Sequence, residues 1–250
     1  MEPKIPIARQ PSPTAYDTNF CFPVRELESE CVKLTPFIPD LHADLYFQGS
    51  AAYPDLYEFI PWQTFTSTSD FVKQVIDSRV QPDTGVVLFA VIDKTRISTS
   101  PSSATSANFA GIIGYMSTSP ANLSTEIGYA IILPPFQRTH VTANAIGLLL
   151  QYALDLPPHG LGLRRVQWMA NRLNTRSIGA VQKLGFKLEG VLRWGRIFVG
   201  SKASASNGIR EREGDPRPGT VGTDTAVLAL CWDDWETERA RVLEVMDRRS

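Results

Sequence analysis

Apolar positions recur with two different periods along this chain, and each period predicts a different kind of element. Residues 85–92 form an unbroken apolar run of strand length, which predicts a central strand buried on both faces. Residues 109–115 and 125–133 predict two more strands, and the second breaks at Pro134-Pro135. Beyond the break the period changes. Val141, Ala145, Leu148, Leu149, Tyr152 and Ala153 share one face of a 3.6-residue repeat, so a helix is predicted over 140–154. Thr139 stands at its N-cap, its hydroxyl placed to accept from an unpaired backbone N–H.

The same reading extends to both sides. Upstream, residues 31–37 predict a first strand closed by Pro36, and residues 40–49 a short helix. Ser67 or Ser69 caps a helix reaching about Arg79, with Phe71, Val75 and Ile76 inward. Downstream, Pro157-Pro-His-Gly160 stops the long helix, and 164–170 is a strand. Asn174 caps a second helix with Ile178, Val181 and Leu184 as its buried stripe and Gly185 in the left-handed position after it. Residues 186–194 and 223–232 are strands, and 233–246 a charged terminal helix. A run of strands, then strand–helix–strand–helix–strand and a closing strand, predicts an α/β (α+β mixed) sheet with one parallel crossover pair.

Composition changes this picture little. The chain has 250 residues, 43% hydrophobic, with 25 basic and 26 acidic residues and a net charge of -1. That suits one sizeable core and argues against nucleic acid or a membrane as the main partner. Cys21, Cys31 and Cys231 offer neither a disulfide framework nor metal-ligand spacing, so a reducing, cytoplasmic setting and no metal are expected. No signal peptide and no bilayer-length apolar run are visible. Prolines at 3, 6, 11, 13 and 23 mark residues 1–28 as an extended arm before a single domain over 29–250. Leu45-Tyr-Phe-Gln-Gly-Ser50 looks like the tail of a tag-removal protease site, but its place inside a domain marks it as native. Residues 200–222, charged and rich in Gly and Pro, form an unusually long loop.

Candidate chemistry gathers around the strand–turn–helix at 126–150. Such a unit aims unpaired N–H groups and the positive end of a helix dipole at one point, which suits an anion. Glu126 is either a base with its pKa raised by burial or a strand-edge carboxylate paired with Lys or Arg; Glu189 is the second candidate. Tyr129 either lines a cleft or is a core tyrosine. Asn174 and Ser177 have N-cap and N3 spacing, which a capped first turn satisfies without a ligand. Trp62, Trp168 and Trp194 read as core, His42 as part of a surface helix and His159 as part of a turn.

Glu126-Ile-Gly-Tyr, then Pro-Pro-Phe-Gln-Arg, then a helix, resembles the acetyl-CoA-binding core of the GNAT N-acetyltransferases, and within them the RimJ/RimL-like branch that acetylates ribosomal-protein N-termini. The branch pattern Gln/Arg-x-x-Gly-x-Gly/Ala falls on Gln137, Arg138, Thr139, His140, Val141 and Thr142, with His140 at the first Gly and Thr142 at the second small position. Asn174-x-x-Ser177 before Leu184-Gly185-Phe186 is a second likeness, and the whole covers about residues 31–235. The resemblance implies a GNAT fold: a mostly antiparallel sheet with one splayed parallel pair and helices on both faces. It implies acetyl-CoA as co-substrate, its pyrophosphate on residues 137–142 with Asn174 as a further contact. It also implies a strand bulge near Ile131–Leu133, with Ile132 and Leu133 facing the thioester, and Ser177 as acid for the departing thiolate. Glu126 becomes the base, Trp62 and Tyr129 the acceptor side, and the 200–222 loop a shaper of acceptor choice. The expected activity is acetyl transfer to a primary amine, a protein N-terminus or a small molecule, with a second copy of the chain, as a homodimer, among the expected partners. The alternative is a GNAT-fold protein that binds acyl-CoA without turnover, or a structural protein; His140 favours it.

Overall fold

The computed structural model describes residues 16–96, 107–200 and 202–248. Most of the expected 94–108 connection and the first fifteen residues of the arm therefore lie outside the described residues. Eight strands form one sheet: β1 (Leu27–Glu28), β2 (Val32–Pro36), β3 (Val87–Asp93), β4 (Phe109–Ser119), β5 (Ser124–Ile132), β6 (Arg165–Asn171), β7 (Lys187–Val199) and β8 (Thr220–Cys231). Their spatial order is β1-β2-β3-β4-β5-β6-β8-β7. Every pairing is antiparallel except β5 with β6. Around the sheet pack α1 (Pro39–Ser50), α2 (Thr68–Phe71), α3 (His140–Leu154), α4 (Thr175–Lys183) and α5 (Trp232–Asp247). This is the mixed sheet with a parallel crossover pair that the hydrophobic pattern predicts.

The periodicities explain why. β3 is buried at all but one of its seven positions, as an unbroken apolar run requires. The inward face of α3 is the predicted one: Val141, Ala145, Leu148, Leu149, Tyr152 and Ala153 are all buried. Each large apolar side chain taken from water there contributes about 1.5–3 kcal/mol. Ser67 caps α2 by accepting from the Asp70 N–H at 3.0 Å. That helix then widens into a π-helix over Val72–Val80, closed by Gln81 N–H donating to Ile76 O at 2.8 Å.

Several boundaries and burials differ from expectation. β7 runs five residues past Trp194, and β8 begins at Thr220, so the loop is shorter than expected at its far end. Trp194 is 47% exposed rather than core, because β7 is an edge strand with little packed on it. His42 is buried rather than on a surface helix, with its Nδ1 accepting from the Ile38 N–H at 2.9 Å. The arm ends in an element: β1 pairs with β2, and Asn19 and Cys21 bond the backbone at Gln81 and Thr84. The Leu45–Ser50 stretch is the last turn and a half of α1, with Tyr46 buried and its hydroxyl 3.0 Å from that of Tyr57.

Candidate active site

The site begins where two neighbouring strands part. β5 and β6 pair at only three positions, Ser124↔Arg165, Thr125↔Val166 and Glu126↔Gln167. Beyond Glu126, β5 stays on β4 (Gly111↔Ile132), while β6 stays on β8 as far as Asn171↔Thr225. A wedge opens between them. It belongs to a cleft of about 1520 Å³ lined by β5, β6, the 137–143 turn and α4.

A bulge accompanies the parting. Between the rungs Ile112↔Ile131 and Gly114↔Gly128, β5 carries one residue more than β4. The extra residue falls at Tyr129–Ala130, and Tyr129 has φ 51°. The bulge thus lies earlier than the expected Ile131–Leu133, because left-handed backbone at Tyr129 absorbs the additional residue there. It turns Tyr129 into the cleft, where its ring stacks on Trp62 at 5.4 Å between centroids.

At the far end of β5 the turn is tied down by its own side chains. Gln137 Nε2 donates to Ile132 O at 2.9 Å. Thr139 Oγ1 donates to Phe136 O at 2.6 Å and accepts from the Val141 N–H at 3.3 Å. Arg138 adopts φ 61°. Among the described residues, the backbone N–H groups of Arg138, Thr139, His140 and Thr142 have no acceptor, so four donors gather at a helix N-terminus. Leu133 and Val141 are buried in the core and offer a ligand only their backbone; Ile132 and Thr142 line the cleft.

His140, at the expected glycine position, is held from the side. Its Nε2 lies 3.3 Å from Oδ1 of buried Asp93 at the end of β3, two strands away from β5 and on the opposite side from the wedge. Asp93 also accepts from Thr95, and Arg96 lies 3.5 Å away with its guanidinium 3.8 Å above the Phe136 ring. The turn is therefore braced by the end of β3. Basic groups line the cleft near it: Arg138, Arg176 and Lys183 on α4, and Arg248 beyond α5. Arg164 and Arg165 are not among its lining residues; Arg165 instead grips Glu189 through two bonds of 2.7 and 2.6 Å. That ion pair holds the Glu189 carboxyl below its usual range, through the hydrogen bond from Arg165.

Glu126 sits on the last rung before the wedge and is 4% exposed. Burial raises its carboxyl pKa, opposed by a 3.2 Å hydrogen bond from Gln167 Nε2 and by the charge of Arg196. Among the described residues no Lys or Arg lies within 4 Å of it, so it is not a paired strand-edge carboxylate. Across the wedge, Asn174 caps α4 by accepting from the Ser177 N–H at 3.1 Å. Ser177 Oγ accepts from Trp168 Nε1 at 2.9 Å, which leaves its own proton free to donate toward the cleft.

Trp168, Gln167, Arg79 and Arg196 are cleft or near-cleft groups that sequence reasoning did not select. Arg196 was hidden by the strand end placed at Trp194. A strand carried two residues further would have exposed it. If Ser177 is the acid that the resemblance implies, replacing it by alanine is expected to lower kcat by about 10²-fold, the low end for a proton donor because a thiolate leaves readily. Trp168→Phe, which removes the indole donor together with part of a buried ring, is expected to cost less. Steady-state kinetics with thiol detection checks both, and equal losses would mean the hydroxyl merely fills space.

A profile of the acetyltransferase (GNAT) domain matches residues 32–187, well over half of the chain. The protein belongs to the GNAT acetyltransferase family. Among solved structures it is similar to a GCN5-related N-acetyltransferase from Brucella melitensis, with TM-score 0.68 and 22% identity over 89% of this chain and 85% of that one. A probable acetyltransferase of the GNAT family from Chromobacterium violaceum gives TM-score 0.67 and 23% identity over 94% and 100%. The microcin C7 self-immunity acetyltransferase MccE, in complex with acetyl-CoA and AMP, gives 0.59 and 19% over 81% and 93%. At these identities the likeness is one of fold. Against curated proteins the sequence finds no match.

Proposed function

We propose that the protein is an N-acetyltransferase of the RimJ/RimL-like kind, moving an acetyl group from acetyl-CoA to a primary amine by direct attack with both substrates bound. The observation that carries this reading is the three-rung β5–β6 pairing, which opens just past a buried carboxylate and faces a turn of bare N–H groups. The residues present fit the coenzyme. The 138–142 donors and Arg138 suit a pyrophosphate; Arg176, Lys183 and Arg248 suit a further phosphate. MccE supports the choice of coenzyme by analogy of fold, since it is in complex with acetyl-CoA.

In this reading the amine nitrogen bonds to the acetyl carbonyl carbon and the carbon–sulfur bond breaks. Glu126 takes the amine proton, directly or through a water, for which a raised pKa is the right adjustment near neutral pH. Ser177 gives a proton to the departing sulfur. Tyr129 and Trp62 form the acceptor wall. Lys202, at the start of the long loop, braces that wall: its Nζ donates to Tyr57 O, Ile60 O and Trp62 O at 2.8, 2.5 and 2.5 Å. This supports a role for the loop in shaping acceptor choice.

Coenzyme binding is tested by thermal shift. CoA at 100 times its Kd is expected to add about 2.7 kcal/mol of stability, a rise in Tm of about 5–10 °C for a domain of this size. Absence of any shift at millimolar CoA would overturn the reading. The non-catalytic alternative rests on His140, which lines the cleft; the contact of its ring with Asp93 favours the catalytic reading.

A further inference from the structure

The acceptor side of the cleft contains two guanidinium groups that, among the described residues, have no carboxylate partner. Arg79 comes from the end of the π-helix and Arg196 from β7, opposite Thr223 of β8. Both line the cleft, and Arg79 shares with Tyr129 the wall of a smaller adjoining pocket of about 480 Å³. Some arginines pair with acids, as Arg165 with Glu189, Arg172 with Asp224, Arg239 with Asp155 and Arg241 with Glu238, whereas Arg138, Arg176 and Arg248 of the cleft, like Arg79 and Arg196, have no such partner among the described residues. Among the described residues, Arg79 and Arg196 have no carboxylate within 4 Å, and neither guanidinium donates a hydrogen bond. Asp55 and Glu58 line the same cleft and Asp83 the adjoining pocket, but none lies within that distance of either group.

Their position gives this pair its meaning. Both guanidiniums act on Tyr129, favouring its ionised form against the larger effect of burial and against the charges of Asp83 and Glu126, and Arg196 acts likewise on Glu126. They are therefore near the groups that would receive the amine. The two guanidiniums oppose an incoming ammonium ion, and a polycation more strongly, while Asp83 and Glu126 pull the other way. An acceptor that carries its own negative charge reverses the sign: its anion can take charge-assisted, forked bonds from one or both guanidiniums. The amine is then delivered to Glu126 with its positive charge disfavoured by the two guanidiniums, which helps it reach the neutral form that attacks.

We propose that the acceptor is an anionic amine, a primary amine bearing a carboxylate or phosphate, with the anion held by Arg79 and Arg196. This rests on the acetyl-transfer reading above, and the experiment separates the two. CoA affinity is first measured by calorimetry on the full chain. Acetyl transfer is then followed by thiol release for matched acceptors: O-phosphoethanolamine against ethanolamine, β-alanine against propylamine, and spermidine as a polycation. The anionic member of at least one pair is expected to show kcat/KM about tenfold or more above its partner, the worth of one hydrogen bond to a charged group. Spermidine is expected to be the poorest. Arg196→Gln and Arg79→Gln should each raise KM for the anionic acceptor with little change in CoA affinity, and Arg196→Lys should restore part of the loss. The pair that responds separates phosphate from carboxylate. If CoA binds and neutral or cationic amines are used as well as anionic ones, the inference fails and the transferase stands. If CoA does not bind, the transferase reading itself fails. If CoA binds and no amine is turned over, calorimetry of O-phosphoethanolamine and ethanolamine on the CoA-loaded protein decides: no preference for the phosphate overturns the inference.

Discussion

Replacing Glu126 by glutamine is expected to lower kcat by about 10²–10⁴-fold, the range for losing a general base, while leaving the fold as stable as before or more so above neutral pH. The stability half follows from burial. Because the folded pKa is raised, the folded protein binds more protons than the unfolded chain between the ordinary carboxylate pKa and the raised one. The slope of unfolding free energy with pH is therefore negative in that window. What this carboxyl contributes is present in full below its unfolded pKa and is lost as pH rises through the folded one. Glutamine does not titrate, so Glu126→Gln escapes that loss. It also keeps an oxygen to accept from Gln167 Nε2. The kinetic half has its own signature: wild-type kcat/KM should fall on acidification through the raised pKa, and this limb should vanish in the variant. Kinetics and thermal melts across pH 5–9 check both. A variant that loses stability and activity together would mark Glu126 as structural.

Gly111→Ala is expected to be the most damaging small substitution in the sheet. Gly111 has φ 139°, and a Cβ built on it would lie 2.1 Å from Ile131 O and 3.0 Å from Ile132 Cα. Both are backbone atoms of β5, held by the pairing of an inner strand, so nothing flexible can give way. Backbone strain and a backbone clash together place the expected loss above about 3 kcal/mol, readable as a lower urea midpoint. The same rungs border the Tyr129 bulge, so any protein that does fold should bind its acceptor poorly. Gly190→Ala on edge strand β7, where an added Cβ meets nothing within 4 Å, is the control and should change stability by under about 0.5 kcal/mol.

The elements were legible in the sequence because their apolar periods are strong. β3, α3 and the capped helix after Asn174 follow from residue spacing alone, and the two caps at Thr139 and Asn174 make the bonds their residue types allow. Strand ends were less legible. β7 bulges past Leu192, with Trp194 at φ 54°, and takes up its pairing with β8 again at Arg196↔Thr223; pairing rather than burial carries the strand on, and periodicity senses only burial. The bulge could not be read at its true place. It depends on a count of residues between rungs of two strands, and Tyr129 is not a residue type that announces left-handed backbone. Within the cleft, Glu126 and the turn were found from local pattern. Arg79, Arg196 and the Trp168–Ser177 bond needed the three-dimensional arrangement, since their partners lie on other elements.

The ammonium of Lys202 spends all three of its protons on carbonyls of the 57–62 segment. Chimeras that transplant the stretch between β7 and β8 from a relative would thus also unfasten the segment bearing Trp62, far upstream of the last paired rung of β5 and β6. Anyone recombining these proteins should treat the two stretches as a single cassette, exchanged together or left alone.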